Sequence, residues 1–331
     1  MQRSRIVGTG TYLPELSLTN DQLAAKMGID TTDAWIRERT GIGARRMAAE
    51  GEATSDMATH ASRKALELAG ITPEDLDLII IGTITPDMPF PSAAAFVQAK
   101  LGATRAACFD VSAACAGSLY ALSIADQFIR TGSAKYVLVV GAELLTRIVD
   151  WRDRASCVLF GDAAGALVLG PEEREGRGFL STHLHTDGTQ TGILCIPGGG
   201  SARPFDAQVL AARDMLVKMN GREVYKTAVR SLEAASRQAL EVNGLKTSDV
   251  SHVVAHQANL RILEAVMKRL EIPLGKCHLN IEKVGNTSSA SVPLTLDQAS
   301  RAGKLKDGDL VLMMAIGGGM SWGSALLRWS A

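Results

Sequence analysis

Short aliphatic runs alternate along the chain with longer stretches whose apolar residues recur at helical spacing. Residues 78–81, 137–140, 166–169, 252–254 and 310–314 are apolar runs of strand length, the pattern of strands covered on both faces. Residues 55–69, 118–130, 221–241 and Leu260–Leu270 carry apolar side chains at i, i+3, i+4 and i+7, which predicts amphipathic helices. The alternation predicts an α/β fold with helices on both faces of its sheets.

The pattern also repeats. Residues 65–82 resemble residues 239–256 in helix end, closing glycine, turn aspartate and following strand, at an offset of 174 with Ala65 on Ala239. The same offset lays the strand after Tyr136 on the strand at Leu310. Further on, Gly165-Ala-Leu-Val-Leu169 resembles Gly323-Ser-Ala-Leu-Leu327 at an offset of 158, as if a loop were shorter in the second copy. One such match is what any two helix–turn–strand units show. A shared offset over two separated stretches favours duplication. The expected organisation is two similar halves, 1–172 and 173–331, with a site where they meet.

Composition narrows the class. The 331 residues are 46% hydrophobic and 21% charged, and 35 basic residues balance 35 acidic ones. Such a chain is not disordered, and zero net charge argues against a nucleic-acid partner. No apolar run approaches the ~20 residues of a membrane span, and Met1 to Leu13 shows no signal-peptide core. Five widely spaced cysteines without a CxxC pair fit neither a disulfide framework nor a zinc site. The expectation is a soluble cytoplasmic protein without a metal.

Among the cysteines, Cys115 stands apart. It lies in Ser112-Ala-Ala-Cys-Ala-Gly117, between the strand signal Phe109-Asp-Val111 and a helix. Small neighbours leave room for a substrate, and a helix N-terminus favours a thiolate, so a lowered pKa is expected. Cys108, Cys157, Cys195 and Cys277 read as small buried residues. His256 ends a strand and opens Gln257-Ala-Asn259, and strand C-termini are where α/β folds place chemistry. Asn286 sits in Gly285-Asn-Thr-Ser-Ser289, where the duplication superposes Cys115 near Ser289. Gly317-Gly-Gly319 follows a strand and can offer N–H groups to an oxyanion.

These stretches, with Asp33-Ala-Trp-Ile-Arg-Glu-Arg-Thr-Gly-Ile42, Phe160-Gly-Asp-Ala-Ala-Gly165, Asn220-Gly-Arg-Glu-Val-Tyr225 and Gly317-Gly-Gly-Met-Ser-Trp-Gly323, resemble the β-ketoacyl-acyl carrier protein synthase III family of the thiolase superfamily, in family order over essentially the whole chain. The resemblance implies a duplicated, five-layered α-β-α-β-α thiolase-like fold and a homodimer. It implies fatty-acid initiation by decarboxylative Claisen condensation of a short acyl-CoA, acetyl-CoA being the expected primer, with malonyl-acyl carrier protein. No cofactor is expected beyond the CoA thioester as substrate.

By the same resemblance Cys115 would be the nucleophile, with its own N–H and that of Gly318 as oxyanion hole. His256 and Asn286 would hold the enolate oxygen of the decarboxylating malonyl group. Trp35 and Arg154 would sandwich the adenine. Thr31, Arg39, Gly221 and Asn259 would line the pantetheine tunnel, with Met219 and Phe160 along it. Phe90 of a partner subunit would reach the acyl pocket. Arg261, Lys226, Lys268 and Arg269 would form a basic rim for the carrier protein. Two departures stand out. Ile316 occupies the end of the acyl pocket, where the family commonly has phenylalanine, so a branched or longer primer of specialised metabolism is an alternative. Ser118 and Leu119 replace an aromatic. A thioester hydrolase is a second alternative, weakened because no Asp or Glu is evident as a base for water; an idle scaffold is a third.

Overall fold

The aliphatic runs become the centres of two sheets. The computed structural model describes residues 3–331. The first sheet has the spatial order Arg3–Tyr12, Ala163–Glu172, Val137–Glu143, Leu78–Gly82, Ala107–Val111. The second runs His252–Ala255, Leu310–Gly317, Ser321–Arg328, Gly178–Thr186. Helices Gly117–Arg130 and Ser291–Arg301 lie between the sheets and touch both. Thr54–Ala69 covers the outer face of the first sheet, and Gly221–Val242 covers that of the second, with Leu260–Leu270 packed beside it. The result is the five-layered α-β-α-β-α arrangement, with the largest apolar core in its middle layer.

The register carries the repeat. Leu78 faces Val137 in the first sheet and His252 faces Val311 in the second, both parallel and both 59 residues apart. Val137 then faces Leu169 and Val311 faces Leu327, both antiparallel. These partners are related by the offsets of 174 and 158. The two central helices start 174 residues apart, at Gly117 and Ser291. Each is preceded by a tight turn whose first residue is left-handed, Ala114 at φ 46° and Ser288 at φ 48°.

The strand Arg3–Tyr12 has no aliphatic run to announce it, and the physical reason is close packing. A Cβ on Gly8 would lie 2.1 Å from the Ala65 carbonyl, and one on Gly10 would lie 2.3 Å from that of Ala61. Helix Thr54–Ala69 rests directly on this strand, so positions 8 and 10 are closed to any side chain and the aliphatic pair ending at Val7 goes no further.

Candidate active site

Cys115, His256 and Asn286 line one cavity of about 880 Å³ at the seam between the halves. Each arrives on a different element. Cys115 is the middle residue of the turn Ala114–Ala116, which leads directly into helix Gly117–Arg130. His256 follows strand His252–Ala255, and its N–H continues the sheet by donating to the Met314 carbonyl at 2.8 Å. Asn286 is held by its backbone: its N–H donates to the Leu159 carbonyl, and its carbonyl accepts from Gly161, both at 2.9 Å.

Side-chain orientation is set by hydroxyls and amides behind the cavity wall. The Ser291 hydroxyl oxygen accepts from the Gln257 N–H at 3.3 Å and lies 2.8 Å from Nδ1 of His256. With the Ser291 hydroxyl proton given to Nδ1, the ring proton sits on Nε2. Burial lowers the His256 pKa to about 4, with a Ser288 backbone contact opposing it, so the imidazole is neutral and can donate from Nε2. The Ser288 N–H donates to Oδ1 of Asn286 at 2.9 Å, which turns the Nδ2 amide away from that contact.

The thiol differs from expectation. Burial pushes the Cys115 pKa up to about 12, against partial relief from the Ser288 hydroxyl, its own N–H and the Gly318 N–H. The helix N-terminus is present, but removing the sulfur from water outweighs it. Cys115 therefore rests as a thiol. The glycine loop comes very close: a Cβ on Gly317 would lie 2.4 Å from the Cys115 nitrogen.

One residue absent from the sequence reading lies behind this turn. Glu143 closes the aliphatic strand Val137–Glu143 and is fully buried. Oε2 accepts from the Thr85 hydroxyl at 2.7 Å, the Ile84 N–H at 3.2 Å and the Thr83 hydroxyl at 3.3 Å. Oε1 lies 3.1 Å from each of the Ser288 and Ser289 hydroxyls. Burial raises its pKa to about 7 despite these donors. A lone carboxylate at the C-terminal end of an otherwise apolar strand is the signal that could have found it. Glu143 lines neither this cavity nor the next, so it is not placed as a base for a water at the substrate.

The other expected residues divide. Trp35, Arg39, Phe160, Met219, Gly221, Lys226, Asn259, Arg261 and Ile316 line the large cavity. Asn259 also caps helix Leu260–Leu270, accepting from the Arg261 N–H at 2.9 Å, and donates to the Arg39 carbonyl at 3.0 Å. Thr31 does not line it; its hydroxyl is buried without a partner. Arg154 lines a separate groove, and its guanidinium lies 4.8 Å over the Trp35 ring, with that of Arg39 at 4.6 Å. The space for an adenine between Trp35 and Arg154 is therefore not preformed. Gly318 lines a second cavity of about 390 Å³ that shares Cys115, Phe160 and Leu194 with the first. Ile316 is not part of it; Ile84, Leu145, Cys195, Ile196 and Val217 are, so Cys195 is a cavity-wall residue rather than a core one. Phe90 is 84% exposed. Lys268 and Arg269 line neither cavity and sit in the last turn of helix Leu260–Leu270. Arg269, Lys226 and Arg261 contact Glu233, Glu223 and Glu38, so much of the expected basic rim is locally balanced.

A duplicated five-layered fold with a thiol, an imidazole and an amide at its seam defines a member of the thiolase superfamily. Comparison with known proteins narrows this. A family model described as 3-oxoacyl-[acyl-carrier-protein (ACP)] synthase III matches residues 109–188, and that of its C-terminal part matches residues 240–329. The chain is 52% identical over 326 residues to a β-ketoacyl-[acyl-carrier-protein] synthase III of Xanthomonas campestris, covering 98% of each. It superposes on 3-oxoacyl-[acyl-carrier-protein] synthase III of Aquifex aeolicus with a TM-score of 0.90 at 48% identity, covering 98% of this chain and 100% of that one. It is similar, at a TM-score of 0.90 and 38% identity, to the priming β-ketosynthase of the R1128 polyketide biosynthetic pathway, covering 98% and 96%. The chain belongs to the 3-oxoacyl-[acyl-carrier-protein] synthase III family of acyltransferases.

Proposed function

We propose that this chain condenses a short acyl group, taken from acyl-CoA onto Cys115, with malonyl-acyl carrier protein to give a 3-oxoacyl product and CO₂. The observation that carries the reading is the preset pair of donors, Nε2–H of His256 and the Asn286 amide, lining one cavity with the Cys115 thiol. In the first stage the Cys115 sulfur attacks the thioester carbonyl, the N–H groups of Cys115 and Gly318 hold the oxyanion, and CoA leaves. In the second, the malonyl thioester loses CO₂. The charge left on its carbonyl oxygen meets the two donors, and the α-carbon attacks the acyl-Cys. A neutral histidine suits this role, because it donates a hydrogen bond without protonating the carbanion. Decarboxylation supplies the carbon nucleophile, so the scheme calls on no metal.

The large cavity is the proposed path for the pantetheine arm, past Gly221, Asn259 and Phe160. Arg154 would swing away from Trp35 to admit the adenine. Arg261 at the mouth, with Lys268 a helical heptad further along the same face, would meet an acidic carrier protein. A homodimer, with Phe90 entering the partner's acyl pocket, and a cytoplasmic location complete the reading. Among the described residues no helix is long and apolar enough to cross a membrane. The second cavity beyond Cys115 favours one variant of this function, in which primers longer than acetyl are accepted.

Intact mass spectrometry after exposure to a panel of acyl-CoAs, followed by addition of malonyl-acyl carrier protein, tests both points. The expected result is acylation confined to Cys115, then release of 3-oxoacyl-carrier protein. Free acid as the sole product would overturn the condensation reading in favour of hydrolysis.

A further inference from the structure

The proposed reaction leaves one proton to be placed. Cys115 starts as a thiol, loses its proton to attack, and regains it when condensation expels the sulfur. His256, neutral and with its Nδ1 engaged by Ser291, is a weak acceptor. On the other side, Ser288 lines the second cavity together with Cys115, its hydroxyl acts to lower the pKa of the thiol, and the same hydroxyl donates to Oε1 of Glu143 at 3.1 Å.

Counting protons shows why Oε1 is the receiving atom. Oε2 already accepts from Thr85, Ile84 and Thr83. The Ser289 hydroxyl has one proton for two acceptors, the Gly82 carbonyl at 2.7 Å and Oε1 at 3.1 Å. The carbonyl is the nearer, so Oε1 has the weaker share of that proton and is less well satisfied as an ionised oxygen than Oε2. The Ser288 hydroxyl also has one proton, shared between the sulfur and Oε1. The groups touching the carboxylate (Thr83, Ile84, Thr85, Ser288 and Ser289) are all neutral, and the titratable groups facing the path are Cys115 and His256. Among the described residues Glu143 makes no ion pair, so no cation holds it ionised. Its raised pKa, well above that of His256, agrees with a carboxyl able to carry a proton near neutrality.

We propose that Glu143, acting through the Ser288 hydroxyl, takes the Cys115 thiol proton as the acyl-enzyme forms, keeps it while the sulfur is acylated, and returns it after condensation. In the forward step the S–H proton passes to the Ser288 oxygen and the Ser288 proton passes to Oε1. The sulfur bonds to the acyl carbon, and CoA leaves as thiolate, taking a proton from water. In the return step the malonyl carboxylate leaves as CO₂, and its electron pair forms the new carbon–carbon bond. The Cys115–acyl bond breaks with its electrons on sulfur, and the stored proton comes back through Ser288. Glu143 is thus a positioning and proton-holding residue that never touches substrate. The inference rests on the acyl-Cys115 reading above.

Infrared difference spectroscopy at pH 8, acyl-enzyme minus free enzyme, reads the stored proton directly, with intact mass confirming acylation in the same sample. The expected spectrum gains a protonated-carboxyl stretch that shifts in D₂O and loses a carboxylate stretch; Glu143→Gln abolishes both. Acylation without a carboxyl band overturns the inference. Failure of any acyl-CoA to acylate Cys115 overturns instead the function on which it rests. In kinetics, Glu143→Gln and Ser288→Ala each slow acylation at pH 7 by roughly 10²-fold, the scale of a lost general base. The double variant is no slower than the worse single, as expected for one path. Wild-type acylation rate and pH profile in Glu143→Gln would overturn the inference. Should that variant not fold, Ser288→Ala and the wild-type spectrum carry the test.

Discussion

The backbone N–H of Ser288 donates to Oδ1 of Asn286 at 2.9 Å. This contact decides which end of the amide is left to face the cavity, and its consequence is specific to the second half-reaction. Asn286→Asp keeps the acceptor for Ser288 but offers an oxygen where a donor was. Condensation is expected to fall by roughly 10²–10³-fold, the cost of one oxyanion donor, while acylation of Cys115 stays measurable. Single-turnover acylation and steady-state condensation, measured side by side, check the split. Equal loss in both would mean that Asn286 serves the first step as well.

Ser291 fixes the tautomer of His256 from behind the ring. Ser291→Ala frees the proton to move to Nδ1, turning the cavity-facing nitrogen into an acceptor. The condensation kcat is expected to drop about tenfold, near one hydrogen bond's worth of free energy, with KM for malonyl-acyl carrier protein unchanged. Nitrogen NMR of the ring would show the altered tautomer.

Gly317 has no room for a methyl group. An added Cβ meets the Cys115 nitrogen at 2.4 Å and the Ala113 carbonyl at 2.9 Å, and both are backbone. Gly317→Ala therefore displaces the nucleophile turn, and acylation is expected to fall by roughly 10²-fold, as for a misplacement of about 1 Å. Gly188→Ala, where nothing lies within 4 Å of the added carbon, is the control and should leave acylation unchanged.

Two buried groups give stability an unusual pH dependence. Glu143 has a folded pKa of about 7 against 4.5 for the free group. The native state binds the extra proton between those values, so this contribution is fully present below pH 4.5 and lost as pH rises through 7. For His256, about 4 against 6.5, the native state binds fewer protons, so stability rises across that window. The two oppose each other between pH 4.5 and 6.5. Glu143→Gln removes one side. Urea unfolding should show the variant gaining on the wild type by about 3 kcal/mol between pH 4.5 and pH 8. A difference that does not vary with pH would mean that Glu143 titrates as it does in water.

The second cavity is the proposed seat of acyl chains longer than acetyl. Val217 lines it and is buried. Val217→Phe fills space that acetyl does not need, so acylation by four- to six-carbon acyl-CoAs should fall by about tenfold or more while acetyl-CoA is spared. Rates from the same acyl-CoA panel decide it.

Much of this was legible in the sequence because it depends on local pattern. Helix Leu260–Leu270 has both expected ends, since Asn259 caps it and the apolar stripe stops with it. The repeat was visible because strand, turn and glycine recur in order. Strand Arg3–Tyr12 was not, because its glycines at 8 and 10 answer to Ala65 and Ala61 of a helix much further along the chain. The direction of the Cys115 pKa was misread for a related reason: N–H groups at a helix start can be inferred from neighbours in sequence, but burial by the other half cannot. Glu143 was overlooked because its partners, Ser288 and Ser289, lie 145 and 146 residues further on.

The matching left-handed turns at Ala114 and Ser288 put Cys115 and Ser289 at equivalent stations of the two halves. The backbone is nearly the same at both; the side chains are not. One station carries a soft, polarisable sulfur that faces the cavity. The other carries a buried hydroxyl turned to the Gly82 carbonyl and Glu143. Near-symmetry of the main chain thus yields a handed site with a single reactive end, and restoring the symmetry with Ser289→Cys would put a second thiol where no substrate can reach it.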